Sequence, residues 1–340
     1  MLKRMLLVLL LTITLLGCGS EQKRLHVFTW ANYVGDEIRT GFESEFGVRV
    51  VVDVFASNED LLAKLKSGAS GYDVIMPSDY MVAIMVKENL LSPLDLSKIP
   101  NFNNISGQFL KRDFDPENRY SIPYTWGTAG IGYDSSVVNP PPDSLSALWD
   151  KRYSGMFSML DDQRESFGAA LKLLGYSVNS TDLSALAEAK AKLIEQKPLV
   201  KQYKNEADEI LGSGDVVMAH CWSGDAFRAA ARRPSIKYVI PKEGATQFID
   251  TVCIPASAPN KAAAAQFINY LLRPKINAKV TEFTKYGTCV PAAREHLPDA
   301  LRNHPGIYPP EEVLNKLESL RDLGEFTRNY DRAWTEVKAK

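Results

Sequence analysis

The chain has 340 residues, 45% of them hydrophobic and 24% charged, and a formal net charge of −1. This length suits two lobes with a sizeable core, and the near-zero charge excludes an extended basic surface for nucleic acid. Four cysteines and four histidines, with no CxxC, HExxH, P-loop or GxSxG spacing, exclude a disulfide framework, a zinc site and the enzymes built on those motifs.

The chain opens with Lys3 and Arg4, then an apolar run from Met5 to Leu16. The run is too short for a permanent membrane span, so residues 1–17 read as an export signal. Leu15-Leu16-Gly17-Cys18 resembles the lipobox of bacterial lipoproteins, which implies cleavage before Cys18 and its lipidation. Cleavage leaves 40 − 2 basic against 41 acidic side chains, a net −3. Cys221, Cys253 and Cys289 then remain as free, buried thiols, and residues 18–24 form a polar tether.

From Leu25 the pattern alternates. Leu25–Trp30 and Val48–Phe55 are rich in β-branched and aromatic residues, and between them Ile38, Phe42 and Phe46 recur every four, predicting a β-α-β unit. Ser57 with Asp60 starts a helix as a capping pair, and Tyr72–Met76 reads as the next strand. Residues 120–133 read as extended chain in which Gly127, Gly130 and Gly132 permit close approach. A second block follows: helix 144–152, strand 156–160, helices 164–175 and 182–196, strand 216–221, helix 224–232 and strand 236–240. Strands over 247–255 then lead into helices 260–272 and 274–284. The order predicts an α/β fold of two lobes, each a mixed sheet flanked by helices, joined by crossings near 127–132 and 250–256 with a ligand cleft between them. One lobe is assigned 25–128 and 252–312, the other 129–251 and 313–340.

Loops that follow the strands of such a fold face the cleft. Here they read Trp30-Ala31-Asn32-Tyr33, Ser78-Asp79-Tyr80, Asp161 to Glu165, Trp222-Ser223-Gly224-Asp225 and Phe248-Ile249-Asp250. Aromatics and acids in combination suit an organic cation with an apolar body, because ring faces attract ammonium groups and pack on methylenes while carboxylates pair with charged ends. Each residue also has a structural reading: a tryptophan fills a core, Asp162 and Glu165 favour a helix N-terminus, and Asp225 caps a helix. Asp250 resists that treatment, since it interrupts an apolar strand where a buried acid needs a partner.

The chain resembles the periplasmic polyamine-binding proteins that serve spermidine and putrescine ABC transporters. The resemblance runs along nearly the whole mature chain, through Thr29-Trp30-Ala31-Asn32-Tyr33, Ser57-Asn58-Glu59, Gly71 to Ser78, Ser121 to Gly127, Pro241-Lys242-Glu243-Gly244 and Phe267 to Pro274. It implies an aromatic wall of Trp30, Tyr33, Tyr80, Trp222, Phe248 and Tyr286, a polar contact from Ser78, and the acids Asp162, Glu165, Asp225 and Asp250. Asp250 would take the most deeply held ammonium, with Glu165 and Asp162 at the opposite end. Phe248, Asp225 and the ending His304 to Pro310 are similar to putrescine-selective members, whereas Asp162 is similar to the spermidine type. A further polar contact falls on Lys204 or Asn205, and a C-terminal one near Leu320 or Arg321.

The resulting expectation is a monomeric, lipid-anchored solute-binding protein on the periplasmic or cell-surface side of a bacterial membrane, without cofactor, metal or nucleic acid. It would hand putrescine, and also spermidine, to a permease with its ATPase. The rivals are a protein for another organic cation such as thiamine, a ferric-iron binder, and a secreted glycoside hydrolase using Asp162 and Glu165.

Overall fold

A computed structural model describes residues 23–340, so the expected signal and lipidation at Cys18 lie outside the described residues. The eleven strands are β1 (Arg24–Trp30), β2 (Arg49–Phe55), β3 (Val74–Ile75), β4 (Ser121–Asp134), β5 (Phe157–Met159), β6 (Gln202–Tyr203), β7 (Met218–Trp222), β8 (Ile236–Val239), β9 (Thr246–Cys253), β10 (Gly287–Thr288) and β11 (Glu318–Ser319). The helices used below are α1 (Asp36–Phe46), α2 (Asn58–Lys66), α3 (Asp79–Lys87), α4 (Gln163–Leu173), α5 (Leu183–Gln196), α6 (Ala207–Ser213), α7 (Ser223–Arg232), α8 (Lys261–Leu271), α9 (Pro274–Thr284) and α10 (Thr327–Ala339).

The strand order is β2-β1-β3-β9-β4-β7-β5-β6. Its centre is β4, fourteen residues that are all buried. Residues 121–128 of β4 pair with β9, whereas 129–134 pair with β7 and β8, so one strand serves two sheets that part between Thr128 and Ala129. On one side β1, β2 and β3 run parallel, connected by α1 and α2; on the other β5, β6 and β7 run parallel, connected through α4, α5 and α6. Each parallel pair needs a crossover helix, and covering helices leave loops at the strands' carboxyl ends. The apolar core divides the same way: Phe42, Phe267 and Tyr270 pack in one cluster, and Phe167, Leu193 and Tyr330 in another.

The β-α-β start, α4, α5, α8 and α9 match the periodic pattern to within a few residues, and Ser57 does cap α2 by accepting from the Asp60 N–H at 3.1 Å. Cys221, Cys253 and Cys289 are free and buried. The helix expected over 144–152 is instead two 3-10 turns, Leu145–Trp149 and Lys151–Tyr153. Ser144 and Asp150 each cap a turn through the side chain, and caps six residues apart leave no room for an α-helix. Helices α3, α6 and α10 lie where no helix is predicted. In α3, Tyr80, Met81, Val82 and Met85 are all buried, so it shows no amphipathic stripe. In α10 the stripe is present in Tyr330, Ala333 and Val337. Among the described residues no helix is long and apolar enough to cross a membrane.

Candidate functional site

A cavity with about 100 Å³ of internal space lies where the two sheets part, and all eleven candidate binding residues line it. Eight of them lie at or after the ends of four strands, two lie within a fifth and one precedes a sixth. Trp30 closes β1 and Tyr33 follows in the next turn; Ser78 and Tyr80 open α3 after β3. Asp162 and Glu165 open α4 after β5; Trp222 closes β7 and Asp225 sits in the first turn of α7. Phe248 and Asp250 lie within β9, and Tyr286 precedes β10. Space for the rings comes from Gly127 of β4: a Cβ there would stand 2.6 Å from Phe248 Cζ and 2.9 Å from Tyr286 Cδ1. A side chain at 127 would therefore displace two walls of the cavity.

The aromatic residues form a connected lining. Trp30 meets Trp222 edge-on with centroids 6.1 Å apart, Tyr33 lies 5.9 Å from Tyr286, and Tyr286 meets Phe248 at 5.2 Å and 89°. Trp30 Nε1 is buried with no partner among the described residues. The Tyr80 hydroxyl is committed elsewhere, donating to Glu59 Oε1 at 3.1 Å, so Tyr80 contributes its ring.

The acids differ in how they are held. Asp250 is 2% exposed; Ser78 Oγ donates to its Oδ1 at 2.6 Å and the Tyr33 hydroxyl donates to its Oδ2. Burial pushes the Asp250 carboxyl up to about 6, while the two hydroxyl hydrogen bonds act in the opposite direction. Glu165, 4% exposed, accepts from Trp222 Nε1 at 3.2 Å and from Thr246 Oγ1. Asp162 caps α4, its Oδ1 accepting from the Glu165 N–H at 2.9 Å. Burial raises both carboxyls, and Asp162 repels Glu165 further. The helix-terminus reading and a place on the cavity wall thus hold together for Asp162.

Asp225 is 5% exposed and does not cap α7, whose N-cap is Trp222. Its Oδ1 accepts from the Arg228 guanidinium one turn on, and its Oδ2 is buried with no partner among the described residues. Burial pushes this carboxyl up to about 7 against the attraction of Arg228. Arg228 lines the same cavity and is absent from the sequence-based candidates. The i,i+3 spacing of Asp225 and Arg228 was the available signal, since that spacing puts two side chains on one helix face.

Asn58, Asp79 and Asp208 were also missed. Asn58 positions the site's backbone, its Oδ1 accepting from the Ser78 N–H at 3.1 Å. Asp79 accepts from the N–H groups of Tyr80 and Ile249, and burial pushes it up to about 8. Of the two open alternatives, Asn205 and Leu320 line the cavity; Lys204 pairs with Glu209, and Arg321 lines a neighbouring groove and pairs with Asp113. No group of three or more His, Cys, Asp or Glu among the described residues is arranged to hold a metal. Asp162 and Glu165 stand together at one helix start rather than on separate elements across the cavity.

The chain matches the model of the bacterial extracellular solute-binding protein family over residues 37–308. It is 36% identical to the putrescine-binding periplasmic protein SpuD of Pseudomonas aeruginosa, over 97% of each chain. Its fold matches the spermidine/putrescine ABC transporter substrate-binding protein PotD of Streptococcus pneumoniae with a TM-score of 0.81 and 34% identity, covering 93% of this chain and 99% of that one. The TpPotD lipoprotein of Treponema pallidum is similar at a TM-score of 0.81 and 32% identity, covering 94% and 100%.

Proposed function

The chain belongs to the bacterial extracellular solute-binding proteins, and from that premise we propose that it captures polyamines, putrescine first and spermidine also, for an ABC importer. The observation that carries this reading is the pairing within one cavity of a connected aromatic lining with three acids, Asp250, Glu165 and Asp162, that have no ion-pair partner among the described residues. Rings stabilise methylenes and ammonium groups, and each unmatched carboxylate adds a charge-assisted bond of about 1.5–3 kcal/mol. A thiamine-like monocation would leave acids unmatched, and hydrolysis of a glycoside needs carboxylates facing across the bond.

The binding residues are Trp30, Tyr33, Ser78, Tyr80, Asp162, Glu165, Trp222, Asp225, Phe248, Asp250 and Tyr286. Two lobes, 25–128 with 252–312 and 129–251 with 313–340, close on the ligand. A ligand that touches both lobes stabilises the closed form by its differential affinity. The protein acts as a monomer without catalysing a reaction, is tethered through a lipidated Cys18, and delivers to a permease with its ATPase. Support for the anchor is the lipobox-like Leu15 to Cys18 and the likeness to a lipoprotein.

Isothermal titration of the mature protein with putrescine, spermidine and thiamine tests the assignment. Micromolar or tighter binding of an amine and no heat with thiamine is expected; absence of heat with both amines overturns it.

A further inference from the structure

The start of α3 carries two of the proposed binding residues, Ser78 and Tyr80, and one side chain holds both of them. Asn58, the first residue of α2 and 4% exposed, accepts the Ser78 N–H on its Oδ1 at 3.1 Å and donates from Nδ2 to the Tyr80 hydroxyl at 3.3 Å. Both ends of the amide are thereby engaged within the protein. The contacts continue in each direction: Ser78 Oγ donates to Asp250 Oδ1 at 2.6 Å, and the Tyr80 hydroxyl donates to Glu59 Oε1 at 3.1 Å. A single amide thus ties an acid of β9 to a ring of the aromatic lining.

Ser78 has a competing use. It is the N-cap of α3, where a serine oxygen ordinarily accepts an N–H of the first turn, yet its side chain makes no capping bond. Asp79 accepts the Tyr80 N–H at 2.8 Å instead, and the Ser78 hydroxyl turns to Asp250. The backbone at this point is fixed on two sides, at the Ser78 N–H by Asn58 and at the Pro77 carbonyl by the Thr251 N–H at 2.9 Å. Removing the Asn58 acceptor strands a buried N–H, a cost relieved by moving the backbone that carries it. Such movement takes the hydroxyl off Asp250 and toward the first turn of α3.

Building on the polyamine reading, we infer that Asn58 is a positioning residue for amine capture: it keeps the Ser78 hydroxyl on Asp250 and the Tyr80 ring in the cavity wall, and acts on the ligand only through them.

The test is titration of putrescine into the wild type, Asn58→Leu, the double variant Ser78→Ala with Tyr80→Phe, and all three changes combined, with melting curves to confirm folding. Asn58→Leu should weaken putrescine binding by at least about tenfold. Added to the double variant it should cost no more than about threefold, because the groups it acts through are already altered. The pH profile separates positioning from packing. Asp250 faces the Ser78 and Tyr33 hydroxyls as donors, with Asp79, Tyr286 and Cys289 close by. The Ser78 donor holds the Asp250 carboxyl down, so Asn58→Leu should move the loss of affinity on acidification to higher pH. Asn58→Ala removes the same contacts and serves if Asn58→Leu impairs folding. An unchanged affinity, an undiminished loss in the triple variant or an unmoved pH profile overturns the inference and leaves polyamine capture standing. A wild type that binds neither putrescine nor spermidine overturns both.

Discussion

Asp250 and Asp225 line one cavity at 2% and 5% exposure, yet the protein treats them in opposite ways. Asp250 is held by Ser78 and Tyr33 through hydroxyl groups, which orient it without cancelling its charge. One oxygen of Asp225 is held by a guanidinium, which offsets much of its charge, and the other has no hydrogen-bond partner among the described residues. The usefulness of a buried acid to a cationic ligand is thus decided by whether its partners are neutral dipoles or an ion. Orientation by hydroxyls leaves the acid with a deficit that a ligand fills; an internal ion pair lessens it.

The sharpest way to break the comparison is Asp250→Asn. It removes the charge while keeping the shape, and breaking a buried charge pair costs about 3–5 kcal/mol, so amine affinity should fall by about 100-fold or more in titration. An unchanged affinity would mean that Asp250 is only a structural acid.

Acidity should act on the same contrast with about a tenth of that effect. With its carboxyl near 6, Asp250 is mostly ionised at pH 7.5 and about one-tenth ionised at pH 5, so amine affinity falls roughly tenfold over that interval. Folding stability of the unliganded protein should move the other way. The carboxyls of Asp250, Asp225 and Asp79 are raised in the folded state, to about 6, 7 and 8 from an ordinary 3.8. A folded state that binds more protons is favoured at low pH, and this contribution is lost as pH rises through 6 to 8. The empty protein should therefore melt a few degrees lower at pH 8 than at pH 5, and saturating amine should narrow that difference by the share that belongs to Asp250; equal melting temperatures would contradict the burial of these carboxyls.

The smallest change expected is that of Tyr33→Phe, which deletes one neutral donor to Asp250 and leaves the ring in the lining. Because the charge of Asp250 stays and only one of its two orienting donors is lost, amine affinity should fall by about tenfold or less, read by titration alongside Asp250→Asn. A loss as large as that of Asp250→Asn would show that the hydroxyl contacts the ligand itself.

Much of this architecture was legible because it is written locally. The spacing of Ile38, Phe42 and Phe46 and the β-branched runs on either side predict β1-α1-β2, and acids and aromatics after strand ends predict which loops meet. Helix α3 escaped because a helix buried on most sides shows no polar face, and the turns over 145–153 escaped because caps, rather than periodicity, decide so short a segment. The place of Asn205 and Leu320 on the cavity, with their neighbours Lys204 and Arg321 outside it, depended on which side of a backbone each residue faces once folded.

The order of amino acids by itself determined the α/β alternation, the two-sheet organisation and the set of aromatic and acidic residues at strand ends, because helix and strand periods and residue chemistry are properties of neighbours along the chain. Only the tertiary structure decided what those acids have left to offer. Ser78 and Asp250 are 172 positions apart and Tyr33 and Asp250 are 217 apart; Asp225 and Arg228 share a helix face by their i,i+3 spacing, but only the packing of α7 buries that pair in the cavity wall. The state of a buried charge is set by its partners and by its loss of water, and both come into being only when distant segments pack together.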